Sequence, residues 1–352
     1  MITKSKTKKA SLMRRSKKSS PSSKSTLLPR EAPLSPLVRR FIKRVQNTVG
    51  KFDLWHRGDA FIIGVSGGPD SLCLLDVLAT LQKKYAFTLH VAHVNYHLRG
   101  RASDCDETLV GKMAAQYNLP LAVLSQKKRL KTASEETLRD IRYAFFETLR
   151  NKYGAHHIAV AHNEDDQAET FLLRLLRGSG LCGLSAMRPK NNFVIRPLIE
   201  MSRTDILEYL KERGIPYGTD TSNADERFMR NRIRHTLLPL LEKKFQPQIK
   251  KLLAHTARLL AEDFSLLEKI PALLTKKDAL LNRTQLLALP ETALRQLFRG
   301  LLQKVSAGKN PPRGTIDEIV KALKSTKSKT QTVACKGLRF VMKGDTVSLL
   351  CK

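Results

Sequence analysis

The segment Phe61-Ile62-Ile63-Gly64-Val65, followed by Ser66-Gly67-Gly68-Pro69-Asp70-Ser71, restricts the fold more than any other stretch. Its apolar, largely β-branched start predicts a buried parallel strand over Phe61–Val65. Leu72–Lys83 then predicts a helix. A strand, a glycine turn and a helix in succession aim backbone N–H groups and the positive end of a helix dipole at an anion. Gly67 and Gly68 admit positive φ and close approach of a phosphate, and Ser66 and Ser71 add hydroxyl donors. The common phosphate-binding pattern GxxxxGK followed by Ser or Thr needs a lysine that is missing here. A cradle of another kind is therefore implied; the competing reading is a tight turn with a serine cap.

Strand and helix patterns alternate from there. Thr88–Val94, Leu121–Leu124, His157–Ala161 and Val194–Ile199 predict strands, and Asp104–Tyr117, Glu135–Lys152 and Thr204–Arg213 predict helices between or after them. Such alternation predicts an α/β fold, a parallel twisted sheet with helices on both faces. Ligands in such sheets bind beyond the carboxyl ends of the strands. Polar residues cluster at those places, after Val65, Val94 and Ala161. Upstream, Leu37, Val38, Phe41, Ile42, Val45 and Val49 stand at helical spacing and predict a short helix packed on the domain.

Charge names the partner class. Sixty-three Lys and Arg against 32 Asp and Glu leave a net +31, which points to a polyanion, and nucleic acid is favoured over an anionic membrane. No apolar run reaches the roughly 18 residues that span a bilayer. Residues 1–36 read as a disordered basic tail, either an RNA-contacting arm or an organellar transit peptide, with the arm preferred for want of amphipathic periodicity. The five scattered cysteines exclude a disulfide framework and a zinc ribbon, and suit a reducing, cytoplasmic setting.

After Ala161, the run His162-Asn163-Glu164-Asp165-Asp166-Gln167-Ala168-Glu169 carries four carboxylates in a basic chain. Asn163 or Asp165 can cap the helix that follows, but capping does not account for all the acids. Asp166 and Glu169, three apart, share a helix face and suit Mg²⁺ or an ammonium group. His93 and His97 straddle a strand end and do not form a metal pair. Gly178-Ser179-Gly180-Leu181-Cys182-Gly183 matches GxGxxG but follows a helix, so it reads as a helix stop and a loop. Asp220–Asp225 reads as a capped turn, and Arg227, Arg230, Arg232 and Arg234 read either as a solvated face or, beside a nucleotide site, as phosphate ligands, the latter preferred. From about residue 236 to 352, leucine pairs at helical spacing predict a small helical domain, ending in a β-hairpin about Lys343-Gly344-Asp345.

The loop Ser66–Ser71 resembles the SGGxDS pyrophosphate loop of N-type ATP pyrophosphatases. The later motifs, His93-Val94-Asn95 with Leu98-Arg99, Arg139 with Arg142-Tyr143, His162 with Asp165–Thr170, Arg177-Gly178 with Gly180, and Asp220 through Arg234, resemble tRNA(Ile)-lysidine synthetases over about Ala60 to Leu241. Tyr96 departs from that pattern, where a second histidine is usual. The resemblance implies an adenine nucleotide alpha hydrolase-like catalytic domain over 37–235, a tRNA-binding helical domain over 236–352, and ATP and Mg²⁺ as cofactors. It further implies that L-lysine is joined to C2 of the wobble cytidine of the CAU-anticodon isoleucine tRNA. Within that reading, Ser66, Gly67, Gly68, Pro69, Asp70, Ser71 and His93 contact the nucleotide, and Asp70, Asp166 and Glu169 hold Mg²⁺ or the lysine ammonium. His162 orders the strand-end loop, Arg232 or Arg234 stabilises the transferring charge, and Arg99, Arg139, Arg227, Arg230 and Arg232 face tRNA. A tRNA thiolase of the same superfamily and a non-enzymatic RNA-binding protein are the rival readings.

Overall fold

The computed structural model describes residues 34–126, 134–218, 229–274, 281–305, 313–325, 330–335 and 338–351. The expected basic tail, except for its last three residues, and the expected turn Asp220–Asp225 lie outside them. Helix α1, Pro36–Phe52, starts at Ser35, whose side chain accepts from the Val38 N–H at 3.4 Å. Of the six positions that periodicity predicts, Val38, Phe41, Ile42, Val45 and Val49 are buried and Leu37 is half-buried.

The alternation then follows as β1 Ala60–Gly64, α2 Pro69–Tyr85, β2 Thr88–Asn95, α3 Arg101–Gln116, β3 Leu121–Ser125, α4 Glu135–Tyr153, β4 His157–Ala159 and α5 Glu164–Leu176. Next come the short α6 Leu181–Leu184, β5 Lys190–Asn191, β6 Val194–Ile195 and α7 Arg203–Glu212. The six strands order as β3-β2-β1-β4-β6-β5, parallel except for β5. Phe61 and Ile63 belong to the apolar cluster that also holds residues of α1, α2, α3 and α7. Ile62, between them, joins Ala92, Phe146, Leu149 and Ile158 instead. Alternate residues of β1 thus serve two cores, which is why its sequence is a continuous apolar run. Because β2 lies on one side of β1 and β4 on the other, the chain reverses its winding there, and the crevice beyond β1 and β4 is the ligand position of such sheets.

Helix α2, which carries the glycine loop at its start, is anchored from beneath. Asp76 is wholly buried, and its carboxylate accepts two bonds from Arg213, each 2.9 Å, one from the Tyr117 hydroxyl at 2.6 Å, and one from Tyr209. Tyr209 lies in α7 and Arg213 caps that helix, so the network ties α2 to α7.

Several sequence expectations need correction. The strand expected over Val194–Ile199 stops at Ile195, because the Arg196 N–H turns to the Pro189 carbonyl and Pro197 has no N–H for a ladder. Gly178, at φ +68°, does end a helix, but the loop after it closes into α6. The boundary expected at 235/236 falls inside continuous helix: α8 Met229–Arg232, a π-helical turn Ile233–Leu237 and α9 Leu238–Lys244. Helix α10, Ile249–Leu274, packs Leu253 and Ala257 against Phe171 and Ala168 of α5. It is therefore bound to the first domain's core.

A separate core forms only later, from α11 Arg283–Leu287, α12 Glu291–Val305, α13 Arg313–Lys324 and a four-stranded sheet. That sheet, β7 Leu281–Asn282, β8 Gln331–Cys335, β9 Leu338–Lys343 and β10 Thr346–Cys351, replaces the expected lone hairpin. The Gly344-Asp345 turn between β9 and β10 is where the sequence puts it.

Candidate active site

The glycine loop is shaped by its own hydroxyls. The Ser66 N–H donates to Ser71 Oγ at 3.1 Å, and Ser71 Oγ donates to the Gly68 carbonyl at 2.8 Å. Gly67 takes φ +91°, and a Cβ there would stand 3.0 Å from the Cβ of Asp106, so the position needs glycine twice over. The Gly218 N–H holds the Gly67 carbonyl at 2.9 Å. Helix α2 starts at Gly68 with no side-chain cap and with Pro69 in its first turn. Its N-terminal dipole is left for a ligand.

The loop opens on a cavity of about 210 Å³ whose walls include Ser66, Asp70, Ser71, Tyr96, Arg142 and His162. Gly64 forms its floor against Phe146: a Cβ at Gly64 would sit 2.8 Å from the Phe146 ring. Gly64→Ala is expected to cost about 1–3 kcal/mol through overpacking and to weaken nucleotide binding by pushing Phe146 into the cavity. Thermal unfolding and an ATP titration on the same variant check both.

Two carboxylates meet at this edge. Asp70 accepts from Arg203 at 2.5 Å and from Asn163 Nδ2 at 2.9 Å. Burial pushes its carboxyl above the usual carboxylate value, and the nearby Asp166 charge adds to the shift, while Arg203 opposes it. Asp166 occupies the third position of α5 and forms a capping box with Asn163, the two bonds being 2.9 and 3.1 Å. Asn163 therefore caps α5 with its oxygen and holds Asp70 with its nitrogen.

Arg230 and Arg234 clasp the same helix. Glu169, 1% exposed, accepts from Arg230 Nε at 2.8 Å and from Arg234 Nε at 2.5 Å. Arg230 also reaches Asp166 at 2.9 Å.

These contacts place the residues to which roles were expected. Glu169 is held by two arginines, each of its oxygens accepting one guanidinium bond. Arg230 and Arg234 are spent on these carboxylates, and Arg99 is paired to Asp106 at 2.6 Å. His93 is buried behind the loop, its Nδ1–H donating to the Val65 carbonyl at 2.8 Å, and it does not line the cavity. Arg139 and Arg232 are exposed, and Arg227 lies outside the described residues.

Among the described residues no three His, Cys, Asp or Glu converge as a metal centre. Mg²⁺ commonly takes only one or two carboxylates and completes its shell with water and substrate phosphate. Asp70 and Asp166, hard oxygen donors that repel each other, fit that requirement once Arg203 and Arg230 give up their bonds to them, and Glu169 is the most deeply buried of the three.

His162 lines the cavity with Nδ1 accepting from Arg196 Nε at 3.2 Å. Burial first, then Arg196, Arg230, Arg139 and Arg142, hold its pKa well below 6.5. His157, packed beside Phe61, is also lowered, chiefly by burial. Unfolding restores the ordinary value, so the unfolded chain binds more protons below 6.5, and stability falls as pH drops through that window. Denaturant unfolding at about pH 7.5 and about pH 5.5 should show the loss on the acid side, with His162→Gln reducing it.

Sequence reasoning missed Arg203 and the bridging role of Asn163. Arg203 did carry a signal, since a cation in the first turn of a helix opposes the dipole and implies an anionic partner.

These features define a nucleotide-binding α/β domain with a lysine-free phosphate loop. A family model described as a PP-loop domain matches residues 37–241. The chain belongs to this PP-loop family. It is similar to a tRNA(Ile)-lysidine synthase of Caldanaerobacter subterraneus subsp. tengcongensis, 38% identical over 221 residues, covering 61% of this chain and 47% of that protein. A tRNA(Ile)-lysidine synthase of Geobacter sulfurreducens is 42% identical over 233 residues, covering 64% and 48%. The chain thus spans about half the length of the curated relatives it matches. Among solved structures, a U34-tRNA thiolase of Methanococcus maripaludis with its 4Fe–4S cluster aligns with a TM-score of 0.53 at 20% identity, covering 64% of this chain and 79% of that one. At that identity the likeness concerns the fold alone. Among the described residues no helix is long and apolar enough to cross a membrane.

Proposed function

We propose that this chain is an ATP-dependent, AMP-forming ligase that modifies tRNA, joining L-lysine to C2 of the wobble cytidine of the CAU-anticodon isoleucine tRNA. The observation that carries the reading is the convergence on one crevice of the lysine-free loop Ser66–Ser71 and the Asp70 carboxylate, with Asp166 tied to Asp70 through Asn163. In the first step the cytidine C2 oxygen attacks the α-phosphorus, and the α–β P–O bond breaks with its electrons leaving on pyrophosphate. The loop and the N-terminus of α2 hold the leaving phosphates, and Arg142 faces them across the cavity. In the second step the lysine ε-amine attacks C2, and the C2–O bond breaks with its electrons leaving on AMP. The amine must be neutral to attack and must lose a proton, and Asp166 is the acceptor assigned here because its side chain keeps 13% exposure beside Asp70, whereas Glu169 is 1% exposed. Mg²⁺, held by Asp70 and Asp166, would neutralise charge on the phosphates.

The net charge of +31 and the exposed Arg139 and Arg232 support contact with a tRNA backbone, and the second core from residue 281 onward is assigned to the same task. The thiolase reading fits the cysteines with described side chains less well: Cys73 is buried in α2, Cys105 exposed on α3 and Cys182 half-buried on α6, three separate elements. Pyrophosphate exchange into ATP, measured with and without tRNA, tests the proposal. Exchange that depends on CAU-anticodon tRNA is expected; no exchange under either condition would mean a binding protein.

A further inference from the structure

Behind the cavity wall, bonded to the wall residue His162, lies a cation that the proposed chemistry leaves without a task. Arg196 is 4% exposed, and no carboxylate is paired with it among the described residues. Its Nη1 donates to the Arg188 carbonyl at 2.8 Å, and its Nε donates to Nδ1 of His162 at 3.2 Å. A guanidinium has donors and no acceptor, so the His162 Nδ1 in this bond carries no proton. The ring's remaining proton is then on Nε2. Arg196 follows directly after β6, at the same carboxyl edge as the glycine loop, and its own N–H is fixed by the Pro189 carbonyl at 2.9 Å. Both the backbone and the side chain of Arg196 are thus set before any ligand arrives.

We propose that Arg196 is a positioning residue that fixes His162 as the neutral Nε2–H tautomer, so that the imidazole donates a hydrogen bond to an oxygen of the nucleotide bound in the cavity. The inference rests on the nucleotide reading of that cavity given above. It assigns His162 a role as a polarising donor, not a general base. A neutral imidazole is suited to that role, because it can stabilise charge developing on oxygen without first giving up a proton. The surrounding cations, Arg139, Arg142 and Arg230, disfavour a second proton on the ring and so act in the same direction.

The test is nitrogen-15 NMR of the full chain with labelled histidine, His162 being assigned by the loss of its signals in His162→Gln. At neutral pH the wild type should show Nδ1 unprotonated and Nε2 protonated, and adding Mg-ATP should shift the Nε2–H resonance. Arg196→Gln, which keeps a donor, should retain the tautomer, whereas Arg196→Met should yield a mixture of tautomers and an ATP affinity reduced about tenfold. An Nδ1–H tautomer or an imidazolium in the wild type overturns the proposal even if Arg196→Met fails to fold. So does a correct tautomer that Mg-ATP leaves unshifted. If the tautomer and the shift are both found while tRNA is left unmodified, the lysine-ligation reading fails and this inference stands.

Discussion

Asp166→Asn is expected to lower turnover by about 10²–10³-fold, the scale of removing one preorganised electrostatic group, while leaving tRNA affinity unchanged. Asparagine keeps an oxygen that can still accept from Asn163 N–H or Arg230, bonds of 3.1 and 2.9 Å in the native protein, so the start of α5 should survive. What disappears is the negative charge beside Asp70. That charge is the proposed proton acceptor and part of the proposed cation site, and neither feature touches Arg139 or Arg232, the exposed arginines proposed to contact tRNA. Loss of tRNA binding with pyrophosphate exchange intact would refute the assignment. Glu169→Gln separates the two acids: it weakens the Arg230 and Arg234 clasp and should lower stability more than Asp166→Asn does.

Asp76→Leu should destabilise the first domain by about 3–5 kcal/mol, the range for breaking a buried ion pair from one side. The substitution leaves the Arg213 guanidinium without its carboxylate and strands the hydroxyls of Tyr117 and Tyr209 in the core. The Asp76 charge and its bond to Arg213 push the Arg213 pKa up, the direction expected of a pair that stabilises the charged form. Denaturant unfolding measures the loss, and a value below about 1 kcal/mol would mean that the network is replaceable. Asp76→Asn, which keeps an acceptor for the tyrosines, should cost less. Because Asp76 lies two turns into α2, the nucleotide loop should also loosen, visible as a weaker ATP affinity in whatever fraction stays folded.

The sheet was legible in the sequence because its central strands, β1, β4 and β6, are short apolar runs with buried residues on both faces and its helices are closed by identifiable signals. Ser35 caps α1, Gly154 ends α4 at φ +59°, and the Asn163–Asp166 box starts α5. The glycine loop was legible for a related reason: positive φ at Gly67 and an uncapped helix start are local properties. What sequence could not supply was pairing across distance. Whether Glu169 faces a metal or a guanidinium depends on Arg230 and Arg234, more than sixty residues away, folding back as a helix with a π turn. The burial of His93 follows from the register of β2 beside β1, which places its ring against the Val65 carbonyl. The domain boundary was misread because the leucine periodicity of α10 does not say which core its face joins; contact with Phe171 decides that.

The group that the wobble cytidine receives decides the proposed reaction. CAU-anticodon isoleucine tRNA incubated with the full chain, ATP, Mg²⁺ and isotopically labelled L-lysine, then digested and weighed by mass spectrometry, answers this directly. A labelled lysine on the wobble cytidine, with AMP and pyrophosphate released in equal amounts, is the expected result. Sulfur incorporation, or an unaltered nucleoside under conditions where ATP binds, would contradict it.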